Sequence, residues 1–311
     1  MMQYKGALAH KSMGAQLLSV FLVLLGMFLL LTLASAILGL VFAQNGQGPE
    51  LSSNRNALLL VQAVSSVVVF GLTAWLSAWM LTRKPVANYM RFSKISLSWL
   101  AFGLGIYLLS MPLSGILAQL NESMHLPESM AAIEQAIRQM EDTAQAAADL
   151  LTSGSGWGLF VAELVVIALI PGLVEEMLFR GVIQNQLQRK GMNGHLAVWL
   201  SAALFSFIHF QFFGFLPRLF MGAILGYLFW YGRSIWVNIA AHCLNNTLAL
   251  VGIWITNHCQ SQWVAEAEEA DCLSLGFVVT GIACMAVAVG LLRLMRYSSS
   301  TRLYFSSSLR S

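Results

Sequence analysis

The sequence predicts an all-α, polytopic membrane protein with about eight transmembrane helices. Of its 311 residues, 58% are hydrophobic and 10% are charged, and a water-soluble protein of this length does not bury that much apolar surface. The apolar residues come in stretches of about 20, the length of a helix that crosses a bilayer. Alternating segments of about ten residues, which are typical of membrane β-barrels, do not occur in the sequence.

Eight spans are predicted along the chain. They are roughly Leu17–Ala43, Ala57–Leu81, Ile95–Leu117, Trp157–Leu187, Leu196–Phe213, Leu216–Tyr231, Ile235–Ile255 and Leu273–Leu294. The first resembles a signal peptide, but its apolar run is longer than a signal core, and we expect a retained helix. The spans organise the chain into a three-helix region (1–120), an outer loop with an amphipathic helix (121–156), a helix core (157–255), and a last loop, span and tail (256–311).

Basic residues are concentrated on one side of the predicted membrane. With eight spans, both termini share this side. Its basic residues are Lys5, Lys11, Arg83, Lys84, Arg91, Lys94, Arg189, Lys190, Arg233, Arg293, Arg296, Arg302 and Arg310. Because cytoplasmic loops carry the excess of Lys and Arg, we predict cytoplasmic termini in the plasma (inner) membrane. The net charge of +3 is small, and no basic groove predicts nucleic acid as a partner.

Two outer loops carry patterns of their own. In the loop before span four, seven apolar residues recur at helical spacing: Leu126, Met130, Ile133, Ile137, Met140, Ala144 and Ala147. They predict an amphipathic helix on the outer face, with a docking role as the alternative. In the later loop, Cys259 and Cys272 are expected to form a disulfide if the outside is oxidising. A metal site at His258 is the alternative for that loop.

Ionisable residues inside spans are rare and usually functional, and the first group lies in span four. Glu176 and Arg180 are four residues apart, so they share a helical face and are expected to form an ion pair. Glu175 is rotated by about 100° from Glu176 and is placed to take a proton from water. Pro171 leaves the Ile167 carbonyl without its helical partner and predicts a kink near the site. A structural salt bridge between helices is the alternative interpretation.

Two histidines and an asparagine follow in later spans. His209 ends the polar stretch of span five, and His242 and Asn246 share a helical face in span seven. An imidazole and an amide aimed at one point stabilise an oxyanion, although a lone histidine often only joins two helices. At 1.5 Å per residue, Glu175 and His209 lie about 21 Å from the cytoplasmic ends of their helices, and His242 about 14 Å. These groups are expected to meet in mid-membrane, in a cavity wetted from the cytoplasm.

Three short motifs therefore occur in order along the second half of the chain. They are Glu-Glu-x-x-x-Arg at Glu175, Glu176 and Arg180, Phe-x-x-x-His at Phe205 and His209, and His-x-x-x-Asn at His242 and Asn246. The ordered set resembles the CAAX protease and bacteriocin-processing (CPBP, or Abi) family, which contains the type II CAAX prenyl endopeptidases. The resemblance covers roughly Trp157–Ile255, and the first three spans and the last helix carry no signature of the family.

The resemblance implies an intramembrane endopeptidase in a catalytic helix core, acting on membrane-associated or prenylated protein substrates. By analogy, Glu175 activates water with help from His209. His242 and Asn246 would then bind the oxyanion of the tetrahedral intermediate. The lipid bilayer and a protein or peptide substrate are the implied partners.

Two further roles are implied by the same resemblance. Glu176 and Arg180 would support the geometry of the site. Members of the family are commonly called metalloproteases, and Glu175, His209 and His242 would supply three ligands to zinc, with water as the fourth. Glutamate chemistry alone and a zinc-assisted reaction both stay open at the level of sequence.

Other protease chemistries fit these residues less well, and two other classes of function remain as alternatives. Gly154-Ser155-Gly156, at the outer end of span four, is a weak sign of a serine nucleophile, because glycine and serine are common in turns. No aspartate lies in a predicted span, which argues against an aspartyl protease, and the zinc motif His-Glu-x-x-His is absent. A non-catalytic membrane scaffold or immunity protein is the main alternative. A proton-coupled transporter also uses buried Glu, Arg and His.

Overall fold

The computed structural model describes residues 5–44, 54–258 and 271–308, and every regular element within these ranges is helical. Nine long helices follow one another there: α1 (Met13–Gln44), α2 (Arg55–Leu81), α3 (Leu97–Glu122), α4 (Ala131–Leu151), α5 (Trp157–Arg189), α6 (Gly194–Phe207), α7 (Phe215–Gly232), α8 (Ile235–His258) and α9 (Leu275–Ser308). A four-residue helix at Val86–Tyr89 and a 3₁₀ turn at Glu128–Met130 connect some of them. The predicted all-α class is confirmed.

Six of these helices are long and apolar enough to cross a membrane: α1, α2, α3, α5, α8 and α9. They match six of the eight predicted spans. The other two are short, since α6 has 14 residues and α7 has 18, with Pro217 and Arg218 near its start. At 1.5 Å per residue they measure about 21 and 27 Å, less than the ~30 Å of a bilayer core. The described residues thus hold six candidate spans rather than eight, and α6 ends at Phe207 rather than at the predicted Phe213.

Short polar residues decide where several helices begin. Asn54 accepts hydrogen bonds from two backbone N–H groups in the first turn of α2, and Asn193 does the same for α6. Ser96 accepts one such bond at the start of α3. These side chains satisfy N–H groups that a first helical turn leaves without partners. At the other end of α7, Arg233 has a φ of 58°, a left-handed conformation that stops the helix.

The amphipathic helix predicted in the outer loop is α4. Its apolar stripe includes Ile133 and Met140, whose side chains are 51% and 53% exposed. On another face, the Glu134 carboxylate accepts hydrogen bonds from Arg138 Nη2 (2.7 Å) and from the backbone N–H of Leu126 (2.8 Å). The helix and its two-faced character are confirmed, while its place on the outer face stays a prediction.

The predicted disulfide lies partly outside the described residues. Cys259 and the acidic stretch after it fall within 259–270, between the described ranges. The bond from Cys259 to Cys272, and the alternative of a metal site at His258, therefore stay predictions.

The described residues pack into two compact units. Unit 1 lies within Met1–Met90, Asp142–Lys190 and His242–Val264, and unit 2 within Arg91–Glu141, Gly191–Ala241 and Ala265–Ser311. In unit 1, α5 packs closely against α2, where a Cβ added to Gly71 would lie 3.1 Å from Val174 Cγ1. In unit 2, the apolar core joins α3, α7, α9 and the start of α8, with Leu228 and Val237 fully buried.

Candidate active site

The helix that carries both glutamates, α5, is irregular on either side of them. π-helical turns at Leu164–Leu169 and Met177–Gln184 flank the α-helical segment Ile170–Glu176. Such turns are frequent at functional sites. Pro171 lies inside the α-helical segment and has no N–H, so the Ile167 carbonyl loses its usual helical partner. The backbone around the glutamates therefore offers an acceptor that another helix can use.

Asn246 on α8 uses that acceptor. Its Nδ2 donates to the Ile167 carbonyl (3.4 Å), and Asn245 Nδ2 donates to Asn246 Oδ1 (3.2 Å). An amide nitrogen carries two N–H groups, so Asn246 can hold Ile167 and still donate to a second acceptor. The carbonyl freed by Pro171 is thus what fixes the orientation of the Asn246 side chain.

A close crossing of α5 and α8 brings the polar residues together. A Cβ added to Gly172 would lie 2.5 Å from Cys243 Sγ and 3.0 Å from the backbone N of Cys243. Small residues let helix backbones approach this closely in membranes. The Cys243 thiol also lies 3.8 Å from the Leu169 carbonyl and packs against α5, as expected for a packing cysteine. Glu175 and Glu176 follow Gly172 by one turn, and His242 directly precedes Cys243.

Glu176 is at the centre of the resulting cluster. Its Oε1 accepts hydrogen bonds from Arg180 Nη1 (2.7 Å) and His242 Nδ1 (2.9 Å). Glu176 and Arg180 are fully buried, so the ion pair expected from their spacing is present and shielded from solvent. A carboxylate ionised by its arginine partner can only accept. His242 Nδ1 therefore carries a hydrogen, and the ring presents Nε2 away from Glu176.

Glu175 lies on the other side of the same imidazole. Its Oε2 is 3.8 Å from His242 Nε2, too far for a direct hydrogen bond. The residue is nearly buried, at 9% exposure. One glutamate thus holds and orients His242, while the other faces its second nitrogen across a gap.

His209 lies in unit 2, just beyond the end of α6. Its Nδ1 is 2.7 Å from the Phe205 carbonyl, and its ring meets the Phe205 ring edge-on at 5.0 Å. A carbonyl only accepts, so Nδ1 carries the hydrogen and Nε2 is the acceptor nitrogen of a neutral ring. The Phe-x-x-x-His spacing therefore sets the tautomer of His209 locally.

The structure thus gathers five of the six predicted site residues in unit 1 and places His209 in unit 2. Residues 157–248 match the family model described as "Type II CAAX prenyl endopeptidase Rce1-like". This segment is similar to an Rce1-like domain. The match confirms the resemblance drawn from the three motifs, and the family is one of endopeptidases. Comparisons with curated proteins and with solved structures give no match.

The Rce1-like segment contains a second buried polar group that the sequence motifs missed. Near the C-terminal end of α5, Gln186 Oε1 accepts from the Tyr89 hydroxyl (2.5 Å), and Gln186 Nε2 donates to Gln16 on α1. Asn185 Nδ2 donates to the Tyr89 carbonyl (2.7 Å). In the sequence, three consecutive amide side chains at 184–186 inside a hydrophobic helix indicate such a network. The network ties α1 and the segment before α3 to α5.

A buried ion pair anchors the opposite end of α5. Glu163 is 1% exposed and pairs with Arg55 at the start of α2. Arg55 Nε also donates to the Leu151 carbonyl at the end of α4 (3.1 Å). A Cβ on Gly154 would lie 2.8 Å from Glu163 Oε1, so the ion pair packs directly against this glycine. Arg55 precedes the second predicted span, which begins at Ala57, so sequence spacing does not indicate Glu163 as its partner.

The turn that follows His209 is held by polar contacts within unit 2. Glu141 Oε1 on α4 accepts from the Phe213 backbone N–H (2.7 Å), and Arg138 stacks over the Phe213 ring at 4.2 Å. Asn121 Oδ1 at the end of α3 accepts from the Leu216 N–H (2.7 Å). The amphipathic helix α4 therefore supports the turn that carries His209.

The zinc ligands implied by the resemblance are split between the two units. Unit 1 supplies Glu175 and His242, and His209 belongs to unit 2. Among the described residues, no cluster of three or more His, Cys, Asp or Glu side chains is arranged to hold a metal ion.

Proposed function

We propose that this protein is an intramembrane endopeptidase that hydrolyses peptide bonds with water activated by Glu175. The observation that carries the proposal is the arrangement of two buried glutamates on the two nitrogens of His242, at 2.9 and 3.8 Å. One glutamate is bound by Arg180 and orients the imidazole, and the other has no such partner in its own helix. A structural salt bridge requires only the first of them.

Charge balance supports the same assignment. Two carboxylates and one arginine leave the cluster with one excess negative charge, which is costly away from water. A protonated His242 makes the cluster neutral, with Nδ1–H on Glu176 and Nε2–H directed toward Glu175. The resting site then holds both a base and a hydrogen-bond donor on adjacent helices.

In the proposed reaction, Glu175 takes a proton from water as the water oxygen attacks the carbonyl carbon. The oxyanion that forms is stabilised by His242 Nε2–H and by the second N–H of Asn246. The tetrahedral intermediate then collapses with cleavage of the C–N bond. Glu175 returns its proton to the departing amine nitrogen, which restores the carboxylate. The assistance that His209 is expected to give Glu175 stays a prediction from the sequence.

The proposed substrates are proteins or peptides anchored at the membrane, including prenylated ones. The support is the match to the type II CAAX prenyl endopeptidase Rce1-like family, together with α5 and α8, the two helices of the site, which are long and apolar enough to cross a bilayer. The natural substrate is to be found by comparing membrane-protein fragments from cells that carry the intact protein or Glu175→Gln.

The central experiment uses purified protein in lipid nanodiscs and a farnesylated peptide ending in a CAAX sequence. Glu175→Gln keeps the size of the side chain and removes the base, and we expect turnover to fall by about 10²–10⁴-fold. His242→Ala is expected to act similarly, whereas His258→Ala, an exposed histidine on the same helix, serves as the matched control. Wild-type hydrolysis by Glu175→Gln would refute the assigned base. Full cellular function of both Glu175→Gln and His242→Ala would favour a scaffold.

The involvement of zinc is tested on the same preparation. The proposed reaction uses the glutamate alone, and we therefore expect full hydrolysis after metal is removed by chelation. Stoichiometric zinc that disappears together with activity in His209→Ala would establish the zinc-assisted version, with Glu175, His209 and His242 as ligands.

A further inference from the structure

Unit 2 contains a cavity that the proposed reaction does not use. It measures 380 Å³ and lies between α6, α7 and α9. Its walls are mainly apolar and aromatic, and its basic groups are at one end. The residues that define its two ends are Phe220, Met285, His195, Tyr231, Arg293 and Arg296.

The cavity has the length of one membrane leaflet. On α9 it runs from Met285 to Arg296, eleven residues along the helix, or about 16 Å at 1.5 Å per residue. Half of a ~30 Å hydrocarbon core is about the same distance. When Arg296 lies at the depth of the headgroups, the end of the cavity at Phe220 and Met285 therefore lies at the depth of the acyl chains.

The basic end has the chemistry of a headgroup site. Arg296 lies 5.9 Å from the Tyr231 ring, and His195 Nδ1 is within hydrogen-bond distance of the Tyr227 hydroxyl (2.9 Å). Tyr and Trp are enriched where membranes meet water. Arg293 lies one turn before Arg296 on the same wall, and both arginines are on the predicted cytoplasmic side. Basic pockets between helices on that side bind anionic headgroups.

We propose that this cavity binds an anionic phospholipid, with its phosphate at Arg293 and Arg296 and one acyl chain between α6, α7 and α9. A neutral lipid does not need the arginines, and a soluble phosphate does not need a 16 Å apolar wall, about one leaflet long. The lipid joins α9 to the α6–α7 hairpin of unit 2. This binding is independent of the proposed peptide hydrolysis.

Headgroup recognition is tested by native mass spectrometry of the full-length protein in detergent, titrated with phosphatidylglycerol or phosphatidylcholine of identical chains. We expect preferential binding of phosphatidylglycerol, weakened by about 30-fold in the double variant Arg293→Gln/Arg296→Gln. Arg83→Gln/Lys84→Gln removes the same charge outside the cavity and should have little effect. Equal losses in both double variants, or equal binding of the two lipids, would overturn the proposal.

The acyl-chain contact is tested by filling the cavity without changing its charge. Val289 lines the cavity, whereas Val287 on the same helix is 53% exposed and does not. Val289→Trp is expected to reduce phosphatidylglycerol binding at least tenfold and Val287→Trp to leave it unchanged. Normal binding by Val289→Trp, or displacement of the lipid by millimolar inorganic phosphate, would show a simple anion site instead. Thermal unfolding of each variant separates loss of binding from loss of fold.

Discussion

At the scale of single residues, the site rests on a difference between two adjacent glutamates. Glu176 accepts from Arg180 and His242 through one oxygen, so its charge is compensated and its position fixed. Glu175 approaches His242 at the longer distance of 3.8 Å. Neighbours in sequence therefore have different tasks, because consecutive side chains on a helix are about 100° apart.

This difference predicts two kinds of variant. Glu176→Ala and Arg180→Ala each leave a buried charge without its partner, which costs about 3–5 kcal/mol in other proteins. We expect lower melting temperatures in nanodiscs and reduced activity, whereas Glu175→Gln reduces activity and keeps the melting temperature. Matched melting temperatures for wild type, Glu176→Ala and Arg180→Ala would mean that the pair contributes little to folding.

At the scale of elements, the crossing of α5 and α8 determines the geometry of the site. The helices touch at Gly172 and Cys243, where a Cβ added to Gly172 would lie 3.0 Å from the backbone nitrogen of Cys243. A backbone atom cannot rotate away as a side chain can. The distance from the glutamates to His242 therefore depends on the absence of a Cβ at Gly172.

Gly172→Ala is expected to push the two helices apart. Overpacking of this kind costs about 1–3 kcal/mol, and the lengthened path from Glu176 to His242 should lower turnover. Gly158→Ala is the matched control, since a Cβ there meets nothing within 4 Å in the same helix. Activity and melting temperature are measured on both variants. Equal losses in Gly158→Ala and Gly172→Ala would contradict the close crossing of the two helices.

The first half of α4 predicts a pH response at the element scale. Hydrogen bonds from Arg138, then from His125, hold the pKa of Glu134 at about 2, below its usual 4.5. A lowered folded-state pKa gives stabilisation that is complete above about pH 5 and lost as the pH falls through about 2. A spin label at Ala136→Cys should stay immobile from neutral pH to about pH 5 and loosen below about pH 4. With Glu134→Gln it should be mobile already at neutral pH, and an immobile label there contradicts the role of Glu134.

At the scale of the whole molecule, the two termini are expected on the same side of the membrane whether six or eight helices cross it. α6 and α7 form a hairpin, and its two ends lie on the same side of the membrane whether or not it crosses the bilayer.

 The count of six or eight therefore leaves both chain termini on one side, because a hairpin adds two crossings or none. The orientation then follows from the segregation of Lys and Arg, which is a property of the loops and not of the hairpin.

The topology predicts which loops are reached from outside the cell. In a cysteine-free background, single cysteines introduced within 121–156 should react with a membrane-impermeant maleimide in intact cells. Cysteines within 83–94 should react only after the cells are opened. Labelling of the 83–94 loop in intact cells would reverse the orientation and, with it, the proposed cytoplasmic side of the lipid cavity.

The sequence by itself determined the class of fold, the helices that carry the site and the contacts made within one helix. The length and polarity of each span follow from the order of apolar and polar residues along the chain, which is why the predicted helical class is confirmed. The Glu176–Arg180 pair is present because a four-residue spacing has one geometry in a helix. The carbonyl freed by Pro171 was also predictable, since proline lacks an N–H wherever it occurs.

Only the tertiary structure decided which residues meet across helices. That His242 donates to Glu176 and faces Glu175, that Asn246 takes the Ile167 carbonyl, and that Arg55 reaches Glu163 could not be predicted from spacing. The sequence also placed the end of α6 too late, because apolar residues continue beyond the last helical turn. The physical reason is that helical periodicity fixes directions within one helix, whereas contacts between helices depend on where they cross and how each is rotated, and close packing at small residues sets both.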